Sequence, residues 1–277
     1  MGFRISTNIA SINAQRNLGN WQHALANSQA KLSSGSRINK AADDAAGLAI
    51  SENLKAQIRG LRQASKNASD GISLVQTAEG GLQEISNILI RFRELSVQAA
   101  SDTIGNKERG FLDAEYQQLK SEIQRIAEVT KFNGRDLLNG TGGLFSIQVG
   151  INNDEFKDRI TFNASAADAT LDALGMSPHS VGTKEGAQVA ISAADDAIVQ
   201  VNGIRANFGA MQNRLQSTVN NLGVSDENLS AANSRVRDTD VAAETAEMTR
   251  NNVLLQAGVS VLAQANSIPN LALKLLQ

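Results

Sequence analysis

Cysteine is absent from the 277-residue chain, and proline occurs only twice, at Pro178 and Pro269. Without cysteine, disulfides, thiol catalysis and thiolate metal sites are excluded. Because proline inside a helix costs about 3 kcal/mol, its near absence permits very long helices. Aromatic residues are also scarce, at 4% of the chain. The apolar residues are therefore mostly aliphatic, which suits long helices that meet at narrow seams.

An excess of charge of one sign is missing as well. The chain carries 26 Lys and Arg against 28 Asp and Glu, for a formal net charge of -2. The two signs are interleaved, and no basic stripe predicts nucleic-acid binding. No run of about 20 apolar residues predicts membrane insertion. The first residues lack a basic region followed by an apolar run, so we expect no Sec-type signal peptide.

Motifs for catalysis or ligand binding are few and weak. Asp43 and Asp44 are adjacent, so they do not share a helix face, and a helix N-terminus explains them better. The two histidines, His23 and His179, lie far apart. The glycine-rich stretch at residues 140–143 lacks the Lys-Ser/Thr of a phosphate-binding loop. We therefore expect no enzymatic activity, no cofactor and no metal ion.

The strongest pattern in the sequence is a heptad repeat. Steps of seven from Leu54 meet mostly apolar residues as far as Ser96, and a parallel series widens the stripe, which predicts a helix over about 44–99. A second series runs from Ala194 to Val236 and is apolar throughout. The residues that we predict to form these intrachain helix seams are Leu54, Leu61, Val75, Leu82, Leu89, Val201, Phe208, Leu215, Leu222 and Leu229.

Both ends of the chain are amphipathic, which is the reverse of a globular domain with frayed ends. Near the N-terminus, the spacing of the apolar positions shifts once before residue 21. Near the C-terminus, the apolar positions recur every seven residues. One chain does not bury such seams alone, so we expect partner chains to cover them. The predicted self-assembly seams are Ile5, Ile9, Ile12, Trp21, Leu25, Leu32, Val241, Met248, Leu255 and Leu262.

The middle of the chain changes character. A shorter helix is predicted between Leu112 and Ile126. Asn133-Gly134 and Asn139-Gly140 are turn signals, and alternating apolar residues predict a β-hairpin from segments 144–150 and 158–164. The predicted fold class is mainly α, a long antiparallel helical coiled-coil bundle with a small β-hairpin and with paired N- and C-terminal helices.

Several long stretches resemble bacterial flagellins. At the N-terminal end these are LSSGSRIN (32–39), AADDAAGLAIS (41–51), DGIS (70–73), QTAEG (76–80), RELSVQA (93–99) and FNG (132–134). At the C-terminal end they are SRVRDTD (234–240) and QAGVSVLAQAN (256–266). The resemblance covers roughly residues 1–140 and 186–277, and only about 145–185 lacks a family pattern.

The resemblance implies a structural subunit of the flagellar filament, exported unfolded by a type III apparatus and self-assembling outside the cell into a tube for motility. It implies that residues 1–43 form the N-terminal part of an inner-core domain and a connecting spoke. Residues 44–237 would form a rod-like helical domain with a β-hairpin at about 144–164, and 238–277 the C-terminal part of the inner core. The chain looks like a short member without outer domains.

Partners follow from the same resemblance. They are other copies of the chain, the flagellar cap and hook-associated proteins, and an export chaperone at the C-terminal helix. Arg91, Leu95 and Glu115 match positions that a host innate receptor reads in flagellins, with a salt-bridged helix surface as the alternative explanation. Two other functions stay open at this point: a hook–filament junction protein with similar ends, and an unrelated coiled-coil scaffold.

Overall fold

The computed structural model describes residues 7–274, and side chains as far as Ser267. The described residues form the helices α1 (Ile9–Ser34), α2 (Ala45–Ala99), α3 (Asn106–Val129), α4 (Lys184–Arg237) and α5 (Val241–Lys274). The strands are β1 (Lys131–Phe132), β2 (Arg135–Asp136), β3 (Leu144–Gln148) and β4 (Arg159–Asn163), and a 3-10 turn spans Ala164–Ala166.

The chain divides into two compact units. The terminal unit comprises Met1–Ala56 and Asn228–Gln277, and the central unit comprises Gln57–Glu227. Long paired helices and small β-hairpins make up these units, so the predicted fold class is confirmed.

Within the central unit, α2 and α4 run antiparallel. Arg62 pairs with Asp226 at 3.0 Å, Glu79 with Arg205 at 3.7 Å, and Arg93 with Asp195 at 2.7 Å. From one ion pair to the next, the residue number rises in α2 and falls in α4, as an antiparallel pair requires. Between the helices lie fully buried aliphatic and alanine side chains, including Leu82, Leu89 and Ala194.

Helix α3 folds back against the end of α2. The Phe92 and Tyr116 rings stack with their centroids 4.2 Å apart, and both residues are fully buried. Nearer the connecting turn, Nε of Arg109 donates a 2.8 Å hydrogen bond to the carbonyl of Ala99. This buried guanidinium satisfies a carbonyl at the end of α2, which has no partner within the helix.

The β3–β4 hairpin packs on α2 at glycines. Its register places Phe145 opposite Phe162 and Ile147 opposite Ile160. A Cβ built on Gly71 would lie 2.6 Å from Cδ1 of Ile147, and one built on Gly60 would lie 2.8 Å from Cγ2 of Ile151. These glycines weaken the helix by about 0.5–1 kcal/mol each, but they let the hairpin side chains approach its backbone.

A second hairpin, β1–β2, pairs Lys131 with Asp136 and Phe132 with Arg135. Its two-residue turn is Asn133-Gly134, with φ values of 49° and 78°. Positive φ at both central residues is the signature of a type I′ turn. Sequence reasoning identified the turn but not the two short strands beside it.

In the terminal unit, α1 and α5 run antiparallel. Nδ2 of Asn8 donates to the carbonyl of Ala265 at 2.8 Å, and Lys31 pairs with Glu244 at 3.6 Å at the other end of α1. Helix α1 ends at Ser34, and its C-cap residue, Gly35, has a left-handed φ of 66°. The next residue, Ser36, forms an isolated antiparallel bridge with Asp238, so the segments leaving α1 and α4 pair briefly.

Candidate assembly and recognition surfaces

The predicted intrachain seam residues fall into two groups. In the central unit, Leu61 and Leu222 are 8% exposed, and the members between them are almost fully buried: Val75, Leu82, Leu89, Val201, Phe208 and Leu215. Leu54 and Leu229 belong to the terminal unit and are only half-buried. The apolar core is therefore densest in the central unit.

The α1–α5 contact uses alternating steps of three and four, the a/d spacing of a coiled coil. On α5 the inward positions are Met248, Asn251, Leu255, Gly258, Leu262 and Ala265, and on α1 they are Ser11, Ala14, Leu18, Trp21, Leu25, Ser28 and Leu32. The buried members of both sets are small or polar: Ser11, Ser28, Asn251, Gly258 and Ala265. The larger apolar members are only half-buried, so this pairing leaves much apolar surface uncovered.

Further apolar side chains of the terminal unit point away from that contact. Ile9 and Ile12 are each 57% exposed, and Val241 is 61% exposed. Three α5 valines that sequence analysis did not select are similarly exposed: Val253, Val259 and Val261. We call these six residues the exposed apolar set. Ile9, Ile12 and Val241 were predicted from the sequence, whereas the three valines could have been found only by asking which apolar residues lie off the heptad positions of α5.

The predicted self-assembly seam stays a prediction, and its members differ in how far this chain buries them. Six of them, Trp21, Leu25, Leu32, Met248, Leu255 and Leu262, are half-buried and follow the three-and-four spacing of the α1–α5 contact. Ile9, Ile12 and Val241 remain exposed, and Ile5 lies outside the described residues. Val241 belongs to the same seven-residue series as Met248, so counting in sevens alone does not separate exposed from half-buried positions.

The predicted recognition residues lie on neighbouring helices of the central unit. Nε of Arg91 donates to Oε1 of Glu115 at 2.9 Å, and its Nη1 lies 3.0 Å from Glu94. The hydrogen bonds to Glu94 and Glu115 raise the pKa of Arg91 above its ordinary value. The side chains of Arg91 and Glu115 are each more than 40% exposed. Leu95, in contrast, is fully buried, so its structural role is packing and not accessible contact.

Residues 7–267 lack two other features. No group of three or more His, Asp or Glu side chains there could hold a metal ion. Within that described part of the chain, no helix combines the length and the hydropathy needed to cross a bilayer.

Comparison with known proteins decides the family. The N-terminal helical region of bacterial flagellin matches residues 5–142, and its C-terminal helical region matches residues 191–276. The chain belongs to the bacterial flagellin family. A flagellin of Halalkalibacterium halodurans is 47% identical over 275 residues, which cover 99% of each chain. A flagellar filament 33 kDa core protein of Treponema phagedenis is 42% identical, also with 99% of each chain covered.

A solved flagellin structure agrees. The crystal structure of Bacillus cereus flagellin shares 36% sequence identity and a TM-score of 0.51, over 57% of this chain and 88% of that one. The near-complete coverage of relatives of similar length is consistent with a short flagellin without additional domains.

Proposed function

We propose that this protein is a structural subunit of the bacterial flagellar filament that assembles outside the cell, chiefly through its terminal unit. The observation that carries the proposal is the exposed apolar set on α1 and α5, beside a seam whose buried residues are small or polar. Burial of these side chains against another chain is favourable, because it removes apolar surface from water. The simplest partner is the terminal unit of another copy of the chain.

Assembly in this form is coupled to ordering of the terminal helices. Ordering backbone costs about 1–2 kcal/mol per residue, and isolated helices gain little from propensity alone. The α1–α5 pair buries few large side chains completely, so burial against neighbouring copies supplies the remaining stabilisation. Residues 1–43 and 238–277 are accordingly proposed as inner-core segments, and residues 44–237 as a rod-like helical domain with a β-hairpin at about 144–164. Export in an unfolded form through the type III apparatus is consistent with termini that fold on assembly.

Polymerisation of the purified chain tests the proposal. We expect long filaments by sedimentation and electron microscopy from the full chain, and none from a chain lacking residues 1–40 and 241–277. A finer test replaces Val261 by Glu, which places a charge in the exposed apolar set. Gln264→Glu is the matched control, because it adds the same charge at an exposed polar position of α5.

Loss of filaments in Val261→Glu but not in Gln264→Glu is the expected result. Equal polymerisation of both variants contradicts assembly through this surface. If the full chain does not extend filament seeds, the hook–filament junction alternative is favoured instead. That alternative is not favoured at present, because both matched family regions and the curated relatives described above belong to flagellar filament proteins.

An export chaperone, the flagellar cap and the hook-associated proteins are proposed as further partners. The half-buried side chains of Met248, Leu255 and Leu262 become fully accessible when α5 is separated from α1, and would offer an export chaperone an apolar helix face. Deletion of residues 241–277 should abolish chaperone binding, and retained binding would contradict this assignment. At the growing end of the filament, the cap and the hook-associated proteins would contact the same terminal unit.

A host innate receptor is proposed to recognise the free subunit through Arg91 and Glu115. Their exposure and their mutual ion pair present a charged feature across α2 and α3. Leu95 would contribute by fixing the packing beneath them.

A further inference from the structure

The sequence contains three Asn-Gly dipeptides: Asn133-Gly134, Asn139-Gly140 and Asn202-Gly203. An asparagine followed by glycine is prone to cyclise, because glycine has no side chain to shield its backbone nitrogen. The reaction needs three things from the structure. The asparagine side-chain amide must be unoccupied, the glycine N–H must be free, and the backbone must be able to rotate.

Asn133-Gly134 meets these requirements. Both residues are exposed at the turn between β1 and β2, and a Cβ built on Gly134 would meet nothing within 4 Å. Neither the Asn133 side chain nor the Gly134 N–H makes a hydrogen bond to the described residues. The flanking strands pair over two residues each, with the Lys131–Asp136 ion pair between them and one backbone hydrogen bond just beyond them. A ladder this short opposes local opening weakly.

Asn139-Gly140 is held in place. Oδ1 of Asn139 accepts hydrogen bonds from the backbone N and from Oγ1 of Thr141, at 3.0 and 2.7 Å. A Cβ built on Gly140 would lie 2.7 Å from Oδ2 of Asp168. The preceding carbonyl, of Leu138, accepts from the N–H of Ala169 at 2.8 Å. Rotation of this segment would break several bonds at once.

Asn202-Gly203 is exposed but lies deep within helix α4. The Gly203 N–H is part of the helical hydrogen-bond ladder, in which each N–H donates to the carbonyl four residues earlier. Cyclisation would require both the loss of that bond and a non-helical ψ at Asn202. The helix therefore protects this dipeptide despite its exposure.

We propose that Asn133 is a site of spontaneous deamidation in the folded protein, and that Asn139 and Asn202 are protected. The Gly134 nitrogen gives up its proton to solvent and attacks Cγ of Asn133. A C–N bond forms to Cγ, and the side-chain nitrogen leaves as ammonia. Water then opens the resulting cyclic imide at one of its two carbonyls, which gives aspartate or isoaspartate. No oxidant, metal or enzyme is needed.

The isoaspartate product has a structural consequence that aspartate lacks. Aspartate tolerates the positive φ of this turn, whereas isoaspartate inserts an extra methylene into the backbone of a two-residue loop. The register of Lys131 with Asp136 then no longer fits the turn. Arg135 follows directly, and its guanidinium lies 3.7 Å from the Phe145 ring centroid and donates to the carbonyl of Gly142 at 2.7 Å. The reaction thus loosens the link between the two hairpins.

Trypsin separates the three sites cleanly, because cleavage after lysine and arginine gives peptides 132–135, 136–157 and 185–205. Purified monomer is incubated at mildly alkaline pH, digested, and analysed by mass spectrometry with fragmentation to place each modified asparagine. Chain kept in denaturant serves as the unfolded reference. Asn133→Gln is the matched variant, since its longer side chain cyclises far more slowly and leaves the other two sites unchanged.

In the folded monomer, we expect Asn133 to react at least about tenfold faster than Asn139 or Asn202, a ratio equivalent to about 1.4 kcal/mol of protection. In denaturant, the three sites should react at similar rates. The proposal is overturned if Asn139 or Asn202 reacts as fast as Asn133 in the folded chain. It is also overturned if Asn133 is as protected as they are.

Hydrogen exchange tests the consequence. The N–H of Leu137 donates to the carbonyl of Thr130 at 3.2 Å, just beyond the β1–β2 pairing. The isoaspartate form should lose protection at Leu137, whereas Asn133→Asp, which adds the charge without the methylene, should retain it. Equal protection in the two forms contradicts loosening by the lengthened backbone.

Discussion

The indole ring of Trp21 lies directly against Gly258, where a side chain of any size would collide with it. A Cβ built on Gly258 would lie 2.4 Å from Cζ3 of Trp21. The glycine is buried, and it occupies an inward heptad position of α5. The largest side chain of the α1–α5 seam is thus accommodated by the absence of a side chain on the facing helix.

Gly258→Ala should therefore destabilise the α1–α5 pairing by about 1–3 kcal/mol, as overpacking does in a fitted contact. Trp21 is the chain's only tryptophan, so its fluorescence during urea unfolding reports on this contact alone. Gly19→Ala is the matched control, because a Cβ at Gly19 meets nothing within 4 Å and should stabilise α1 by up to about 1 kcal/mol. If the two variants unfold at the same urea concentration, the fitted contact is refuted.

The ion pair between Arg91 and Glu115 should contribute little to stability. Both side chains are largely exposed, and such pairs contribute about 0–1 kcal/mol. Arg91→Ala should lower the free energy of unfolding within that range, yet reduce receptor activation by the monomer strongly if the proposed recognition is correct. The control is Arg125→Ala. It breaks an exposed ion pair between Arg125 and Glu122, both of which lie on α3. Unchanged activation by Arg91→Ala would count against recognition at this site.

Much of the fold could be predicted from sequence because its signals are local. The heptad series and the scarcity of proline gave helix α2 at Ala45–Ala99, close to the predicted 44–99. The alternation around Ile147 and Ile160 gave the β3–β4 pairing. Each signal repeats within one element, so one sequence is enough to detect it.

Which apolar residues of α5 stay exposed could not be predicted in the same way, because their exposure depends on which face a partner helix covers. Leu255 and Val259 are both apolar residues of α5, but Leu255 turns partly toward α1 and Val259 remains 51% exposed. The phase of α5 relative to α1 is set by fitted pairs such as Trp21 and Gly258. That phase is a tertiary property which heptad counting does not contain.

Acid should weaken the attachment of the segment before α4. Asp113 accepts hydrogen bonds from Oγ of Ser180 at 2.7 Å and from the N–H of Val181 at 2.9 Å. Burial opposes ionisation, but these bonds prevail and lower the pKa of Asp113 below its ordinary 3.8. Because the folded pKa is depressed, this stabilisation is present above the unfolded pKa and is lost as pH falls through the folded value.

Asp113→Asn should therefore be less stable than the parent chain at neutral pH, and the difference should shrink below about pH 4. The measurement is urea unfolding of the monomer across that range, followed by circular dichroism. Asp172→Asn, which removes a carboxylate from an exposed position of the segment before α4, is the matched control. A difference for Asp113→Asn that is constant down to the lowest pH would contradict the sign of this linkage.

Glycines of α2 should respond to alanine in opposite directions, depending on what faces them. At Gly80 a Cβ meets nothing within 4 Å, so Gly80→Ala should stabilise the helix by about 0.5–1 kcal/mol. At Gly71 a Cβ would lie 2.6 Å from Cδ1 of Ile147 and 3.3 Å from Cδ1 of Leu215. The gain in helix propensity is the same, but the β3–β4 hairpin must move away, and Gly71→Ala should be net destabilising.

Shortening the opposing side chain separates these two effects. Ile147→Val removes the closest methyl group, so Gly71→Ala should cost less in that background than in the parent chain. A double-mutant cycle on urea unfolding measures the difference as a coupling between the two positions. Gly80→Ala should show no such coupling with Ile147→Val. A coupling near zero for Gly71 would mean that the hairpin does not rest on this glycine, and that α2 keeps Gly71 for a reason other than close approach.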